Sequence, residues 1–197
     1  MEGVKRYKVE LREHNEAWEM EFKATKARIE NILPEKIIDI QHVGSTAIPS
    51  ICAKPILDIA ILLKDIDKEV IEKLVAIGYD YRGQREDNGN YHLFVLRGPG
   101  EISLHHLHCY DQSGKGFEQL VAFRDYMNTH EECAISYNEL KKSLAEKHKE
   151  NRAVYTLSKA EFIQSVYEKI SEEKNTHKPK DLTELCLAMV KEIRFLR

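Results

Sequence analysis

Several short segments of this chain carry side chains whose types and spacing suit phosphate and metal chemistry. The first, His42-Val43-Gly44-Ser45-Thr46, ends an apolar run in a tight, hydroxyl-rich turn. Gly44 lets the backbone approach a ligand closely and tolerates a positive φ. Ser45 and Thr46 add hydroxyls and amide N–H groups, the raw material of a phosphate nest. A dozen residues on comes Lys54-Pro55-Ile56-Leu57-Asp58, whose carboxylate is set among Ile56, Leu57, Ile59, Ala60, Ile61 and Leu62. A charge in such a run is costly to bury alone. Asp58 is therefore expected to bind a metal, pair with a cation such as Lys54, or cap backbone groups.

The third segment is Leu104-His105-His106-Leu107-His108. On a strand, His106 and His108 point one way and His105 the other. Two imidazoles two residues apart are a common way to present nitrogen ligands to one metal, but the pattern taken alone is more often an accident of sequence, with neutral imidazoles hydrogen-bonded in a core. With Asp58 they form a set that suits Zn, Mn, Fe or Ni better than a pair of Mg ions. His42, two residues before Gly44, is expected on the same face and joins the candidate ligands. Two-metal phosphoryl transfer ordinarily uses at least two carboxylates, yet the position two after Asp58 is Ala60. Asp65 and Asp67 lie past the strand and read as helix-start residues. Further along, Phe123-Arg124-Asp125-Tyr126 offers an arginine for phosphate or carboxylate and a tyrosine to stack on a base. The equal alternative is a surface Arg–Asp pair beside two core aromatics. Lys141, Tyr155 and Lys159 read either as a cationic rim or as solvated helix faces.

Positioning these groups falls to a mixed set of elements. Residues 16–32 have Trp18, Phe22, Ile29 and Leu33 on a roughly common face and read as a helix that Pro34 stops. Residues 37–43 read as a strand, 46–53 as a loop containing Pro49, and 56–63 as a central strand buried on both faces. Asp65 or Asp67 caps a helix over 68–77 that ends at Gly78. Strands follow at 79–82, 91–97 and 101–110, the last two joined as a hairpin by Gly98-Pro99-Gly100. After 111–114 the period becomes helical, with helices over 117–127, 132–148 and 154–171. A polar break at 172–180, including Pro179, leads to an amphipathic stripe of Leu182, Leu185, Cys186, Met189, Val190 and Ile193. This stripe is read as packing, in cis or across a homodimer. The fold class is α/β (α+β): a mixed sheet with flanking helices, then a helical half. One domain spans 1–171, with the sheet in residues 1–112 and the helical half in residues 113–171. An extension follows over 172–197.

Composition narrows the function classes. At 197 residues with 42% apolar residues, the chain has material for one core. Its 30 basic and 33 acidic residues give no electrostatic reason to expect nucleic acid. The longest apolar run, residues 55–63, is too short to span a bilayer, and residues 1–6 lack the apolar stretch of a signal peptide. Cys52, Cys109, Cys133 and Cys186 are scattered and form no Cys-x-x-Cys, as expected of free thiols in a reducing cytoplasm.

In order and spacing these segments resemble the GrpB-like family, a branch of the nucleotidyltransferase superfamily. The resemblance is carried by His42-Val43-Gly44-Ser45-Thr46-Ala47-Ile48-Pro49, Lys54-Pro55-Ile56-Leu57-Asp58-Ile59, His105-His106-Leu107-His108 and Phe123-Arg124-Asp125-Tyr126. Tyr137, Leu140 and Lys141 continue it, then Tyr155, Lys159, Phe162 and Ile163, so that it runs from about Val9 to Ile170. It implies a nucleotidyltransferase-like core, with Gly44-Ser45 in that superfamily's Gly-Ser position and Asp58 as its first metal carboxylate. His106 and His108 would stand on the strand that carries a third carboxylate in active transferases.

The expectation is a nucleotidyltransferase-like transferase acting on a nucleotide, or another small anionic metabolite, and an acceptor, with one divalent metal (Mg, Mn or Zn). Asp58 and Ser45 are its catalytic candidates. Gly44, Ser45, Thr46, Lys54, Arg124, Tyr126, Lys141 and Lys159 are its binding candidates. Two other readings stand beside it: a non-catalytic nucleotide- or metabolite-binding module, and a metal-dependent hydrolase using the histidine pair.

Overall fold

The near-continuous apolar run Leu57–Leu63 forms a strand covered on both faces, and the sheet is built around it. The structure, a computed structural model, describes residues 1–85, 91–112 and 115–176. Its strands are β1 (Val4–Lys5), β2 (Ile37–Val43), β3 (Leu57–Leu63), β4 (Tyr79–Arg85), β5 (Tyr91–Gly98) and β6 (Ile102–Asp111). Their order is β2-β3-β6-β5-β4, with β1 pairing the start of β6. Among the described residues β3 and β6 run parallel, and the other pairs are antiparallel. The hairpin between β5 and β6 turns at Gly98-Pro99-Gly100 as expected, with Gly100 at φ 71.

One face of the sheet carries Leu57, Ile59, Ile61 and Leu63 against α1 (Ala17–Ile32) and α2 (Lys68–Ala76). Asp67 caps α2 by accepting from the Val70 amide at 3.0 Å. The other face carries Val43, Ala60 and Tyr110 beneath α3 (Gly116–Thr129). Behind it, α4 (Glu131–Lys147), α5 (Arg152–Leu157) and α6 (Ala160–Thr176) complete the helical half. There Ile48 and Ile51, from the loop between β2 and β3, pack with Phe123, Met127, Tyr137 and Val166. The loop that follows the Gly-Ser turn is thereby clamped between sheet and helices.

The expected mixed sheet with flanking helices followed by a helical half is what the chain adopts. The expected single helix over 154–171 is instead two. It opens at Ser158-Lys159, where Tyr155 is buried and the Lys159 Nζ lies 4.7 Å from its ring centroid. Helix α6 then runs through the first residues of the expected polar break. The amphipathic stripe expected over 182–193 lies outside the described residues. Cys52, Cys109 and Cys133 are free thiols, and no described helix is long and apolar enough to cross a membrane.

Candidate anion and metal site

Strand register brings the acid and the two histidines together. In the parallel β3–β6 pair, Asp58 is the partner of His106 and Ala60 the partner of His108. Period-two alternation then points all three polar side chains to one face. Asp58 Oδ1 lies 3.0 Å from His106 Nδ1 and 3.2 Å from His108 Nε2. Asp58 keeps 30% of its side chain exposed, so it opens onto a cavity rather than into a closed core.

The hydrogen bonds fix both imidazole tautomers. Arginine can only donate, and Arg152 Nη2 lies 3.3 Å from His106 Nε2. Nε2 is therefore an acceptor, and the Nδ1 proton points at Asp58. An ionised Asp58 can only accept, so His108 Nε2 donates to it, and Nδ1 of the neutral ring accepts from the Tyr91 hydroxyl at 3.0 Å. Burial opposes ionisation of Asp58, but the hydrogen bonds and electrostatic attraction of these two imidazoles hold its pKa well below the usual carboxylate range. Burial lowers the His106 pKa, opposed by Asp58 and reinforced by His108 and Arg152.

Both protons aimed at Asp58 occupy the directions a cation would take. One ring nitrogen from each histidine and a carboxylate oxygen of Asp58 lie within 4.8 Å of one another. This N,N,O set fits a divalent transition metal. A metal on His108 Nε2 would leave the proton on Nδ1, and the Tyr91 hydroxyl would then turn to accept it, as outer partners of such ligands do. At His106 the fit requires Arg152 to turn away, since a metal on Nδ1 leaves the remaining proton on Nε2.

Gly44 is required by the same carboxylate. Its φ is 70°, and a Cβ placed on it would lie 2.7 Å from Asp58 Oδ2 and 2.9 Å from Asp58 Cβ. After it, Ser45–Ala47 form a single 3-10 turn. Thr46 Oγ1 lies 2.9 Å from His42 Nε2.

A cavity of about 250 Å³ opens over Asp58, lined by Ser45, Thr46, Lys54, Lys141, Arg152 and Lys159 among others. Among the described residues, none of these four cations has a carboxylate within salt-bridge distance. Tyr155 lies between two of them, 5.3 Å from Lys54 Nζ and 4.7 Å from Lys159 Nζ to its ring centroid. Lys141 donates to the Cys52 carbonyl and lies 5.0 Å from the Tyr137 ring centroid. Burial first, then Arg152 and the neighbouring lysines, pushes Lys54 down to about 7. Burial and Lys159 bring Lys141 to about 7. Burial and Arg152, opposed by Asp58, bring Lys159 to about 8.

Three expected site residues lie elsewhere. His42 is on the opposite face, because the antiparallel β2–β3 register pairs Val43 with Asp58 and His42 with Ile59. There it stacks on Phe22 and lies 3.3 Å from Glu19 Oε2, so it does not join the metal set. Arg124 donates to Gln41 Oε1 at 2.9 Å and to the His42 carbonyl at 2.8 Å, fastening α3 to the end of β2. Tyr126 stacks on His130 at 3.8 Å between ring centroids, away from the cavity. Arg152 takes the place expected of Arg124. Its sequence signal is the spacing Arg152, Tyr155, Thr156, Lys159, one stripe of a helical turn ending on a lysine.

Against known proteins, the profile of the GrpB protein family matches residues 8–169. The UPF0157 protein YqkA of Bacillus subtilis is 35% identical over 163 residues, 82% of this chain and 47% of that protein. The chain thus spans about half the length of that relative. The glutamate-rich protein GrpB of Alkalihalophilus pseudofirmus is 34% identical over 170 residues, covering 84% of this chain and 98% of its own length. Among solved structures, the conserved protein GrpB from Enterococcus faecalis superposes with a TM-score of 0.75 at 28% identity. That match covers 84% of this chain and 99% of the other.

Proposed function

This chain belongs to the GrpB family, and with that as premise we propose that its cation-lined cavity holds the phosphate chain of a nucleotide. In this reading the protein is a nucleotidyltransferase-like transferase that works with one divalent metal. The observation that carries it is charge: Lys54, Lys141, Arg152 and Lys159 converge on one cavity whose described lining residues include a single carboxylate, Asp58. Four mutually repelling cations are stable together only at a cost, and a polyanion removes that cost. The volume of about 250 Å³ is small for a whole organic ligand. It suits a phosphate chain with the nucleoside lying outside.

Each residue then has a role. Arg152 and the three lysines neutralise phosphate oxygens, and Tyr155 fixes the direction of Lys54 and Lys159. Ser45 and the turn behind Gly44 bring a hydroxyl to the cavity mouth. Asp58, His106 and His108 would hold the metal, which when bound supplies a Lewis acid for a phosphoryl oxygen.

The test is calorimetric titration with tripolyphosphate, then incubation with α-labelled nucleoside triphosphates, Mn or Zn, and a metabolite pool. We expect one site per chain, with affinity at least about tenfold weaker in Lys54→Met/Lys159→Met. No binding at millimolar tripolyphosphate would sink the reading. A second reading, a binding module without turnover, is favoured by Ala60, which leaves Asp58 without a second carboxylate on its strand face. Binding of an intact triphosphate with no labelled product would select it.

A further inference from the structure

A second and larger cavity, about 750 Å³, lies across the wall formed by His106 and Arg152. The two cavities share His106, Arg152 and Thr156, while His108 faces only the larger one. No acidic residue is among its described lining residues, which include Arg6, Arg82 and Arg97. Arg97 is held by Asp80 at 3.2 Å, whereas Arg6 and Arg82 have no carboxylate in salt-bridge reach among the described residues. Apolar surface is interleaved with these charges. Tyr7 and Leu157 are 64% and 73% exposed, and Leu93 and Val95 floor the cavity from β5. A wall of guanidinium groups beside open aromatic and aliphatic surface matches an anion that carries an apolar body.

We propose that this larger cavity is the acceptor subsite. Its ligand is an organic acid with an aromatic or aliphatic body, its anionic oxygen at the His106–Arg152 wall and its body against Tyr7 and Leu157. The proposal rests on the phosphate-chain reading of the smaller cavity. The two cavities meet at His106, Arg152 and Thr156, and the turn of Arg152 that metal binding at His106 requires would open the acceptor's cavity to the donor's. In the transfer this implies, the acid's oxyanion bonds to the α-phosphorus of a nucleoside triphosphate. The α–β bridging bond breaks, and pyrophosphate leaves with the electron pair. An acceptor that is already ionised needs no general base.

Phenyl phosphate and phenylacetate are the probes, because they share the apolar body and differ in the anion. Each is titrated into the full chain preloaded with saturating tripolyphosphate. We expect at least one to bind with one site per chain, and to weaken about tenfold or more in Arg82→Ala/Leu157→Ala. The tripolyphosphate affinity of that variant should stay within about twofold of the wild type. Which probe binds tells whether the acid is a carboxylate or a phosphate ester. Displacement of tripolyphosphate by the probes, equal binding by wild type and variant, or no binding of either probe would overturn the proposal. If tripolyphosphate itself fails to bind while a probe still binds and still depends on Arg82 and Leu157, the phosphate-chain reading falls. The organic-acid cavity would then stand by itself.

Discussion

The two faces of the sheet treat the same residue types in opposite ways. His105 and His106 are consecutive on β6, yet His105 meets the Tyr79 hydroxyl at 3.0 Å and Glu21 at 3.1 Å, on the face packed by α1 and α2. His42, on that face too, is held between Thr46 and Glu19. His42 is held at both ring nitrogens by groups of the protein, whereas His105 is hydrogen-bonded at Nδ1 and lies near the Glu21 carboxylate at Nε2 without hydrogen-bond geometry. On the other face His106 and His108 share one carboxylate, and four cations surround it. The difference is what separates the proposed ligand face from the structural one. Polar groups that close on one another hold the fold together, whereas an excess of one charge around an open cavity calls for something from outside.

The strongest way to break this comparison is to change the shared carboxylate. Asp58→Asn keeps the shape and removes the charge. Titration with Zn or Mn should show affinity falling by more than about 100-fold, beyond what loss of an outer partner costs. Tripolyphosphate should bind at least as well as before, because the one negative group of the cavity is gone. His105→Gln should do the reverse. It should lower unfolding free energy by about 1–3 kcal/mol through an unsatisfied buried partner, with metal and anion affinity unchanged. If both variants lost metal equally, the two faces would not differ in the way described.

The second test is pH. Folding lowers the pKa of Lys54 and Lys141 to about 7 and of Lys159 to about 8. From there up to the ordinary lysine range, the unfolded chain holds more protons than the folded one. The stability contribution of these lysines therefore rises with pH in that window. A polyanion prefers the charged lysines, so binding takes up protons. Affinity is greatest at or below pH 7 and should fall about tenfold or more by pH 9. Calorimetry in buffers of different ionisation enthalpy would register the uptake near pH 8. Lys54→Met/Lys159→Met serves as the control for titration of the ligand itself. A pH-independent affinity in the wild type would show that the lysines do not face the anion.

Much of this site could be read before the fold, and what could not has a physical reason. Parity along one strand put His106 and His108 on one side and His105 on the other. The near-continuous apolar run around Asp58 marked a central strand, and two such strands side by side bring their polar residues together. The face taken by His42 depends on the register of an antiparallel pair, and a shift of one residue reverses every side chain. Nothing within β2 itself sets that register. Arg124 and Tyr126 have the chemistry of ligand-binding residues, but their helix turns them toward β2 and His130. Arg152 was missed because it begins a six-residue helix and reaches the site only through the fold of the helical half.

A third test is at Gly44, where backbone and carboxylate meet. Gly44→Ala forces a Cβ to within 2.7 Å of Asp58 Oδ2 at a φ of 70°. The expected cost is about 1–3 kcal/mol in chemical denaturation, together with weakened metal binding as Asp58 is displaced. Gly83→Ala has a positive φ of 92° but no atom within 4 Å of the added methyl. It should lose stability without changing metal affinity. Equal effects on metal binding would remove the close contact with Asp58 from the account.

The smallest expected effect is also the most discriminating. The Tyr91 hydroxyl donates to His108 Nδ1, and its ring stacks on Tyr110 at 5.1 Å and on His108 at 5.8 Å. Tyr91→Phe keeps both stacks and deletes the hydroxyl, so stability should change by no more than about 1 kcal/mol. If His108 is a metal ligand through Nε2, its Nδ1 proton turns the pair around and donates to that hydroxyl, which fixes the ring direction, and metal affinity should fall about tenfold without it. Tripolyphosphate, held by cations on the far side of Asp58, should bind unchanged. If metal affinity does not move, His108 does no more than donate to Asp58. The carboxylate and its two histidines would then be a closed hydrogen-bonded set like the one around His42, and only the cations would distinguish this face as the proposed ligand face.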